Sequence, residues 1–218
     1  SNLKKLYFTL LTICSTKSEL PFIVSQIEKE KSSASESLPA LIACYVSLAG
    51  EAGLPFIEET YLSKEGADYE RRAGAAITAL RFHGQEASVI ERDKIVEVFH
   101  HMLKRPTLGA RILSDLARWE DWSVVDRVAE IFVEAKGDAL WVREPAARYL
   151  LACPNNDAVQ QIGKLEKIDE LAIRNARRFT FPPTMSSSTP AASPQTGVQG
   201  QASVFRDSQS AVSTGGPE

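Results

Sequence analysis

The tetrapeptide Leu-Pro-Phe-Ile occurs twice in this chain, in "LPFIVSQIEKE" (20–30) and in "LPFIEETYLSK" (54–64). Leu20 and Leu54 are 34 residues apart. Proline is tolerated in the first turn of a helix, where its missing N–H would have no intrahelical partner, so each copy predicts a helix start. We interpret the two copies as the second helices of a helical hairpin that is repeated along the chain.

Two series of apolar residues extend this period of about 35 residues through the chain. The second-helix series is Leu20, Leu54, Val89, Val124 and Val159, and the first-helix series is Leu48, Leu80, Leu116 and Leu151. One hairpin is too small to bury its apolar face alone, so neighbouring hairpins share a core. The sequence therefore predicts an all-α fold, an α-solenoid of about five stacked antiparallel helical hairpins. The residues predicted to be buried are Leu20, Ile23, Leu54, Ile57, Leu80, Leu116, Val128, Leu151 and Ile162.

Apolar spacing and breaker residues place helices from Leu3–Cys14 to Asp169–Phe179, without strand-like alternation. Gly84 and Gly137 are predicted to end helices in the left-handed conformation. His83, just before Gly84, is then expected to be partly positive at a helix C-terminus.

The composition changes near residue 179. Residues 180–218 consist mainly of Ser, Thr, Pro, Gly and Gln, and such a segment cannot bury enough apolar surface to offset the entropy of ordering it. We predict a helical-repeat domain over 1–179 and a disordered tail or linker over 180–218.

Two stretches, "YERRAGAAITALRFHG" (69–84) and "DALWVREPAARYLLACP" (138–154), share an internal spacing. Arg72 precedes Leu80 by eight residues, and Arg143 precedes Leu151 by eight, with an alanine four residues before each leucine. This pattern resembles HEAT-repeat helices, and residues 20–168 resemble HEAT-like repeat proteins of planctomycete bacteria. The resemblance implies a ladder of Asp–Arg bonds between successive hairpins, with Asp138 as one member, and it implies no known activity.

Composition argues against several classes of function, while a local basic patch that binds nucleic acid stays open. The formal net charge of −3 lacks the basic excess of a nucleic-acid binder, and no uninterrupted apolar run reaches the ~18 residues expected of a membrane span. The dispersed cysteines and histidines predict no metal, cofactor or catalytic site. Lys4 and Lys5 before a short apolar stretch fit a signal segment or an ordinary first helix, so cytoplasmic and secreted locations both stay open.

The stretch "RWEDWS" (118–123) is the strongest candidate for a binding site. Trp and Arg are enriched in binding hot spots, so Trp119, Trp122, Arg118 and Arg127 form a predicted partner-binding set. The alternative is that both indoles pack in the core while Ser123 caps the next helix.

We therefore expect a non-catalytic protein-interaction scaffold that binds a protein or peptide on a concave face formed by the second helices. The alternative is an enzyme, or the substrate-binding part of one, of the HEAT-like lyase type. A deep pocket lined by convergent titratable groups would favour the enzyme, and a shallow groove of mixed charge would favour the scaffold.

Overall fold

The computed structural model describes residues 16–30, 36–63, 66–86 and 88–178. The chain divides into two units, Ser1–Thr184 and Met185–Glu218, and every described residue belongs to the first. The predicted helix at Leu3–Cys14 and the predicted tail at 180–218 lie outside the described residues.

Every regular element in the described ranges is helical, which confirms the all-α class. The α-helices are α1 Leu20–Glu30, α2 Leu38–Ala49, α3 Leu54–Ile57, α4 Ala67–Glu86, α5 Arg92–Met102, α6 Pro106–Gly109, α7 Leu113–Arg118, α8 Val125–Glu134, α9 Arg143–Ala152, α10 Asn156–Leu165 and α11 Glu170–Arg178. The 3₁₀-helices are Lys17–Glu19, Gly50–Gly53 and Gly137–Val142, and Glu58–Leu62 continues α3 as a π-helical turn.

Both copies of Leu-Pro-Phe-Ile begin a helix, as the sequence predicts. The isoleucine of each copy, Ile23 or Ile57, is fully buried. The equivalent phenylalanines differ, because Phe22 is exposed while Phe56 packs against the Tyr45 ring with centroids 5.0 Å apart.

Helices that alternate along the chain pack against one another. Among the first helices of the predicted hairpins, α2 contacts α4, α7 contacts α9, and α9 contacts α11. Among the second helices, α8 contacts α10. The helices that follow each other in sequence also pack together, as α8 does with α9 and α9 with α10.

Arginine–aspartate pairs connect successive first helices. Arg81 of α4 donates from Nε and a terminal nitrogen to the two carboxylate oxygens of Asp115 in α7, at 2.6 and 2.7 Å. Arg143, at the start of α9, donates to Asp169 at 2.9 Å, and Asp169 also accepts from the N–H of Ala172. That backbone bond, followed by the Arg143 bond, lowers the pKa of Asp169. Asp138, which the resemblance implied as a member of an Asp–Arg ladder, is exposed, and Arg143 bonds to Asp169.

Most of the residues that were predicted to be buried lie in the core. Ile23, Ile57, Leu80, Leu116 and Val128 are fully buried, and Leu54 and Ile162 are nearly so. Leu20 and Leu151 were also predicted to be buried, but each is only half-buried.

The period of 35 residues fails at two positions of the second-helix series. Val89 is 44% exposed, because it lies in the bend between α4 and α5 and not in a helix. Val159 is 66% exposed, because α10 buries Ala158, Ile162 and Leu165 on its other face. A shared spacing therefore does not give these valines the role of Leu54.

The predicted helix end at Gly84 is wrong. Helix α4 continues to Glu86, and Gly84 is not among the glycines with positive φ. His83 is buried, with its Nε2 3.0 Å from the carbonyl oxygen of Ala43, and this burial lowers the pKa of its imidazole. His83 is therefore a neutral core residue and not a cation at a helix terminus. Gly137, in contrast, has the predicted positive φ, at 54°.

The stretch Leu38–Leu62 is long and apolar enough to cross a membrane by length and composition, a feature that the search for uninterrupted apolar runs missed. In the structure this stretch is interrupted at Gly50, whose φ of 66° ends α2. Half of its most apolar window is buried inside the protein, where α2 packs between α1 and α4.

Candidate functional site

An open groove of about 670 Å³ separates α8 from α10. Its apolar surface comes from Ala129 and Val133 on α8, from Leu165 at the end of α10 and from Ile168 in the turn that follows α10. Ala129 and Leu165 are buried at its base, whereas Val133 and Ile168 are 46% and 49% exposed. Residues four apart share one face of a helix, so Ala129 and Val133 form a single row along α8.

Acidic side chains line the α8 side of this groove. Asp126, Glu130 and Glu134 follow each other at intervals of four residues, which places them in a second row along α8. Gln161 of α10 donates to Asp126 across the groove at 3.2 Å. Lys164 is the basic residue of the lining. The groove therefore combines an apolar base with a mostly negative rim.

Arg127 holds part of that rim in place. Its guanidinium donates to Glu130 at 2.9 Å and to Glu134 at 3.1 Å, and it also donates to the carbonyl oxygen of Leu103 after α5. The hydrogen bonds to Glu130 and then to Glu134 raise the pKa of Arg127, which stays charged. The predicted partner-binding residue Arg127 thus orients the acidic row next to the groove.

Trp119, the first predicted anchor, is half-buried and packs against the core. Its indole stacks on the Phe99 ring, with centroids 5.5 Å apart and an angle of 12° between the planes. The Arg92 guanidinium lies 5.8 Å from the Trp119 ring centroid. On the side of α4, a Cβ on Gly84 would lie 2.5 Å from Cη2 of Trp119, so the glycine provides the space that the indole occupies.

Trp122 and Arg118 complete the predicted set. Trp122 is also half-buried against the core and contacts the Tyr149 ring, with centroids 5.4 Å apart. Arg118 is exposed and lies 3.5 Å from the carboxylate of Asp115. The structure brings the two indoles against core aromatic rings, while Arg127 bonds to Leu103, Glu130 and Glu134. Binding of a partner through these four residues stays a prediction.

Asp121, between the two tryptophans, joins several helices. One carboxylate oxygen lies 2.5 Å from Nε2 of His100 on α5, and the other accepts the Ser123 hydroxyl at 2.7 Å. Its carbonyl oxygen accepts the Tyr149 hydroxyl of α9, also at 2.7 Å. Burial raises the pKa of Tyr149, so this hydroxyl keeps its proton. Ser123 is not the N-cap that we predicted, because Val124 is the residue before α8 and makes no side-chain cap.

The chain turns sharply after α7 at Glu120, which has a φ of 59°. The N–H of Asp121 donates to the carbonyl of Leu116, and the N–H of Glu120 donates to that of Ala117. This pair of bonds is a Schellman motif, in which the left-handed position usually holds glycine. The 118–123 stretch is therefore a tightly bonded helix connection.

A smaller cavity of about 240 Å³ lies between the π-helical turn and the end of α5. His101 Nδ1 lies 2.7 Å from a Glu58 carboxylate oxygen there, and Arg105 donates to the Leu62 carbonyl at 2.9 Å. Cations at this place complement the carbonyl groups of two helix ends. The Ser63 hydroxyl, which also lines this cavity, donates to the Glu58 carbonyl.

Within the described ranges, no group of three or more His, Cys, Asp or Glu residues could hold a metal ion. Cys44 and Cys153 are buried, and Cys14 lies outside those ranges.

Sequence reasoning did not find the groove. The intervals of four from Asp126 to Glu134 were a signal for an acidic row, and the pairing of Ala129 with Val133 was a signal for a neighbouring apolar row. Neither pattern could show that Val133 stays uncovered, since that depends on where α10 packs.

Comparison with known proteins identifies no relative for this chain. No protein-family model, no curated protein and no solved structure matches it.

Proposed function

We propose that this chain is a non-catalytic protein-interaction scaffold, built as a HEAT-like α-solenoid that binds a protein partner on the surface of its second helices. The observation that carries the proposal is the open groove between α8 and α10, with its apolar base and charged rim. An uncovered apolar surface with a polar border is typical of sites where proteins associate.

Contacts between alternate helices support the solenoid arrangement. The pairs α2–α4, α7–α9 and α9–α11 join first helices, and α8–α10 joins second helices. The Arg81–Asp115 bond joins residues 34 apart, and the Gln161–Asp126 bond joins residues 35 apart. Bonds at about one repeat length are expected when each hairpin stacks on the next.

The enzyme alternative receives less support. The groove is open, and its rim carries Lys164 beside three carboxylates, which is closer to the geometry that we expected of a scaffold than to a deep pocket. In the smaller cavity, the His101–Glu58 pair has no nucleophile hydrogen-bonded to it among the contacts described, and a base activates a nucleophile through such a bond.

The test is affinity capture from the source cells with the full chain as bait. The groove variant Val133→Glu/Ile168→Glu places two charges on the apolar surface, and the control Val159→Glu/Leu140→Glu alters two exposed apolar residues outside the groove lining. We expect one or more partners to be retained by the wild type and the control and lost from the groove variant. Equal capture by all three baits would overturn the proposal, as would a saturable enzymatic turnover by the purified chain.

A further inference from the structure

We infer that the α8–α10 groove binds an amphipathic helix whose apolar stripe is flanked by lysine or arginine residues. This inference rests on the proposed interaction function and specifies the chemistry of the partner.

The shape of the apolar base favours a helix as the occupant. Two helices form the walls, and Ala129 and Val133 present apolar groups one helical turn apart. On the other wall, Leu165 at the end of α10 and Ile168 in the following turn also present apolar groups to the groove, three residues apart. A ligand helix with apolar residues at i, i+3, i+4 and i+7 places side chains at the same intervals, which is how helices dock into hydrophobic grooves. The described part of the chain has no strand whose edge could pair with an extended peptide.

The rim selects the charge of that helix. Asp126, Glu130 and Glu134 extend over about 12 Å of α8, since a helix rises 1.5 Å per residue. Glu130 and Glu134 are both more than two-fifths exposed and so can still receive a second cation beside Arg127. Lys164 offsets one of the three carboxylates of the lining. An acidic helix would place like charges against this row, whereas lysines or arginines beside the apolar stripe would form ion pairs with it.

The probes are two synthetic peptides of about 15 residues, a length at which helices are marginally stable in water and can fold on binding. Both carry leucine at i, i+3, i+4 and i+7. The flanking positions hold lysine in one peptide and glutamate in the other. Binding to the full chain is measured by fluorescence anisotropy at low and high salt.

Matched variants locate the binding. Glu130→Lys reverses one rim charge, and Glu97→Lys is its control, because each glutamate is about 60% exposed and paired with a base three residues earlier. Val133→Ser removes part of the apolar base, and Val159→Ser makes the same change at an exposed position of α10 outside the groove lining. Lys164→Glu adds a fourth carboxylate to the rim.

We expect saturable binding of the lysine peptide that weakens with salt, as surface ion pairs do. Glu130→Lys should weaken it by about tenfold or more, as expected when opposite charges become like charges at an interface. Val133→Ser should also weaken it, Lys164→Glu should strengthen it, and both controls should bind as the wild type does.

Three results would overturn the inference. They are equal or tighter binding of the glutamate peptide, no saturable binding of the lysine peptide, and equal losses in groove variants and controls. None of these depends on the affinity capture with Val133→Glu/Ile168→Glu. If that capture succeeds while the lysine peptide fails, the interaction function stands and the charge assignment is wrong.

Discussion

The 118–123 connection and the α8–α10 groove both combine apolar and acidic side chains, but they place them differently. At the connection, Trp119 and Trp122 pack on core rings, and Asp121 bonds to α5, to α9 and to Ser123 within the connection. At the groove, Val133 stays about half exposed and the acids face outward. The two tryptophans of the connection are thus found where the fold closes, and the apolar base of the groove is made of smaller side chains. Exposure, not residue type, separates the two regions.

The largest difference between the two regions should appear when each loses its apolar side chain. Trp119→Ala should lower the free energy of unfolding by about 3 kcal/mol, because it removes a stacked, half-buried ring from the core. Val133→Ala should change it by less than about 0.5 kcal/mol, because the valine is only partly covered. Chemical denaturation of both variants measures the difference.

An unchanged denaturation curve for Trp119→Ala, together with loss of partner capture, would contradict this assignment. In that case Trp119 would be the binding anchor that the sequence analysis predicted.

A smaller effect should come from the glycine that accommodates Trp119. A Cβ at Gly84 would lie 2.5 and 2.6 Å from two carbons of the indole, so Gly84→Ala should cost about 1–3 kcal/mol through overpacking. Gly163→Ala in α10 is the control, because no atom lies within 4 Å of its added Cβ. That change should stabilise the helix by about 0.5–1 kcal/mol.

A double-mutant cycle connects the cost to the indole. Phenylalanine at position 119 does not reach the place of the outer indole carbons, and it lacks the buried indole N–H, which has no hydrogen-bond partner among the described residues. Gly84→Ala should therefore cost much less in the Trp119→Phe background. Equal costs in both backgrounds would show that some other contact requires the glycine.

The dependence of stability on pH should differ between His83 and a variant that does not titrate. Burial lowers the pKa of folded His83 below its unfolded value of about 6.5. Above this value both states are neutral, so the contribution to stability is fully present. As the pH falls below about 6.5, the unfolded state binds the proton first and stability decreases by up to about 1.4 kcal/mol per pH unit.

His83→Gln keeps a donor toward the Ala43 carbonyl but carries no titrating group. The stability advantage of the wild type over this variant should therefore shrink between pH 7.5 and 5.5, as measured by urea denaturation at each pH. His100 and His101 are the same in both proteins, so the difference between the two curves reports on position 83. A constant advantage over this range would show that burial does not disfavour the charged form of His83.

The smallest effect should come from the turn at Glu120. A left-handed conformation costs a residue with a Cβ about 1–2 kcal/mol, and the greater flexibility of glycine in the unfolded chain offsets about 0.4–1 kcal/mol of this. Glu120→Gly should thus raise the free energy of unfolding by about 1 kcal/mol or less, seen as a small rise in melting temperature. A clear fall would mean that the Glu120 side chain contributes more than its backbone strain costs.

Helix positions were largely predictable because their signals are local. The helix start at the Leu54 copy of Leu-Pro-Phe-Ile was predicted, and so was a last helix from Asp169, one residue before α11 begins at Glu170; both follow from contacts within one or two turns. Gly84 shows the limit of this reasoning. A glycine near the end of a helical pattern predicts a C-terminus. Gly84 instead lies within α4, where its missing side chain leaves room for the indole of Trp119, 35 residues farther along the chain.

The candidate site was less predictable than the helices. The partner-binding set was chosen for its tryptophans and arginines, and the structure places both indoles against core rings. The acidic row of α8 and the apolar residues beside it can be identified in the sequence once the groove is known. The sequence alone does not give the distance between α8 and α10, so it could not show that these residues line a groove.

The sequence by itself determined the all-α class, the approximate positions of the helices and the repeated Leu-Pro-Phe-Ile start, because spacing and turn residues act over a few neighbouring positions. Only the tertiary structure decided that His83 is a neutral core residue, that Asp121 joins α5 to α9, and that Val133 remains open to solvent. The physical reason is that burial depends on residues brought together from distant parts of the chain. A valine has the same helical preference whether a neighbouring helix covers it, as at Val128, or leaves it half exposed, as at Val133.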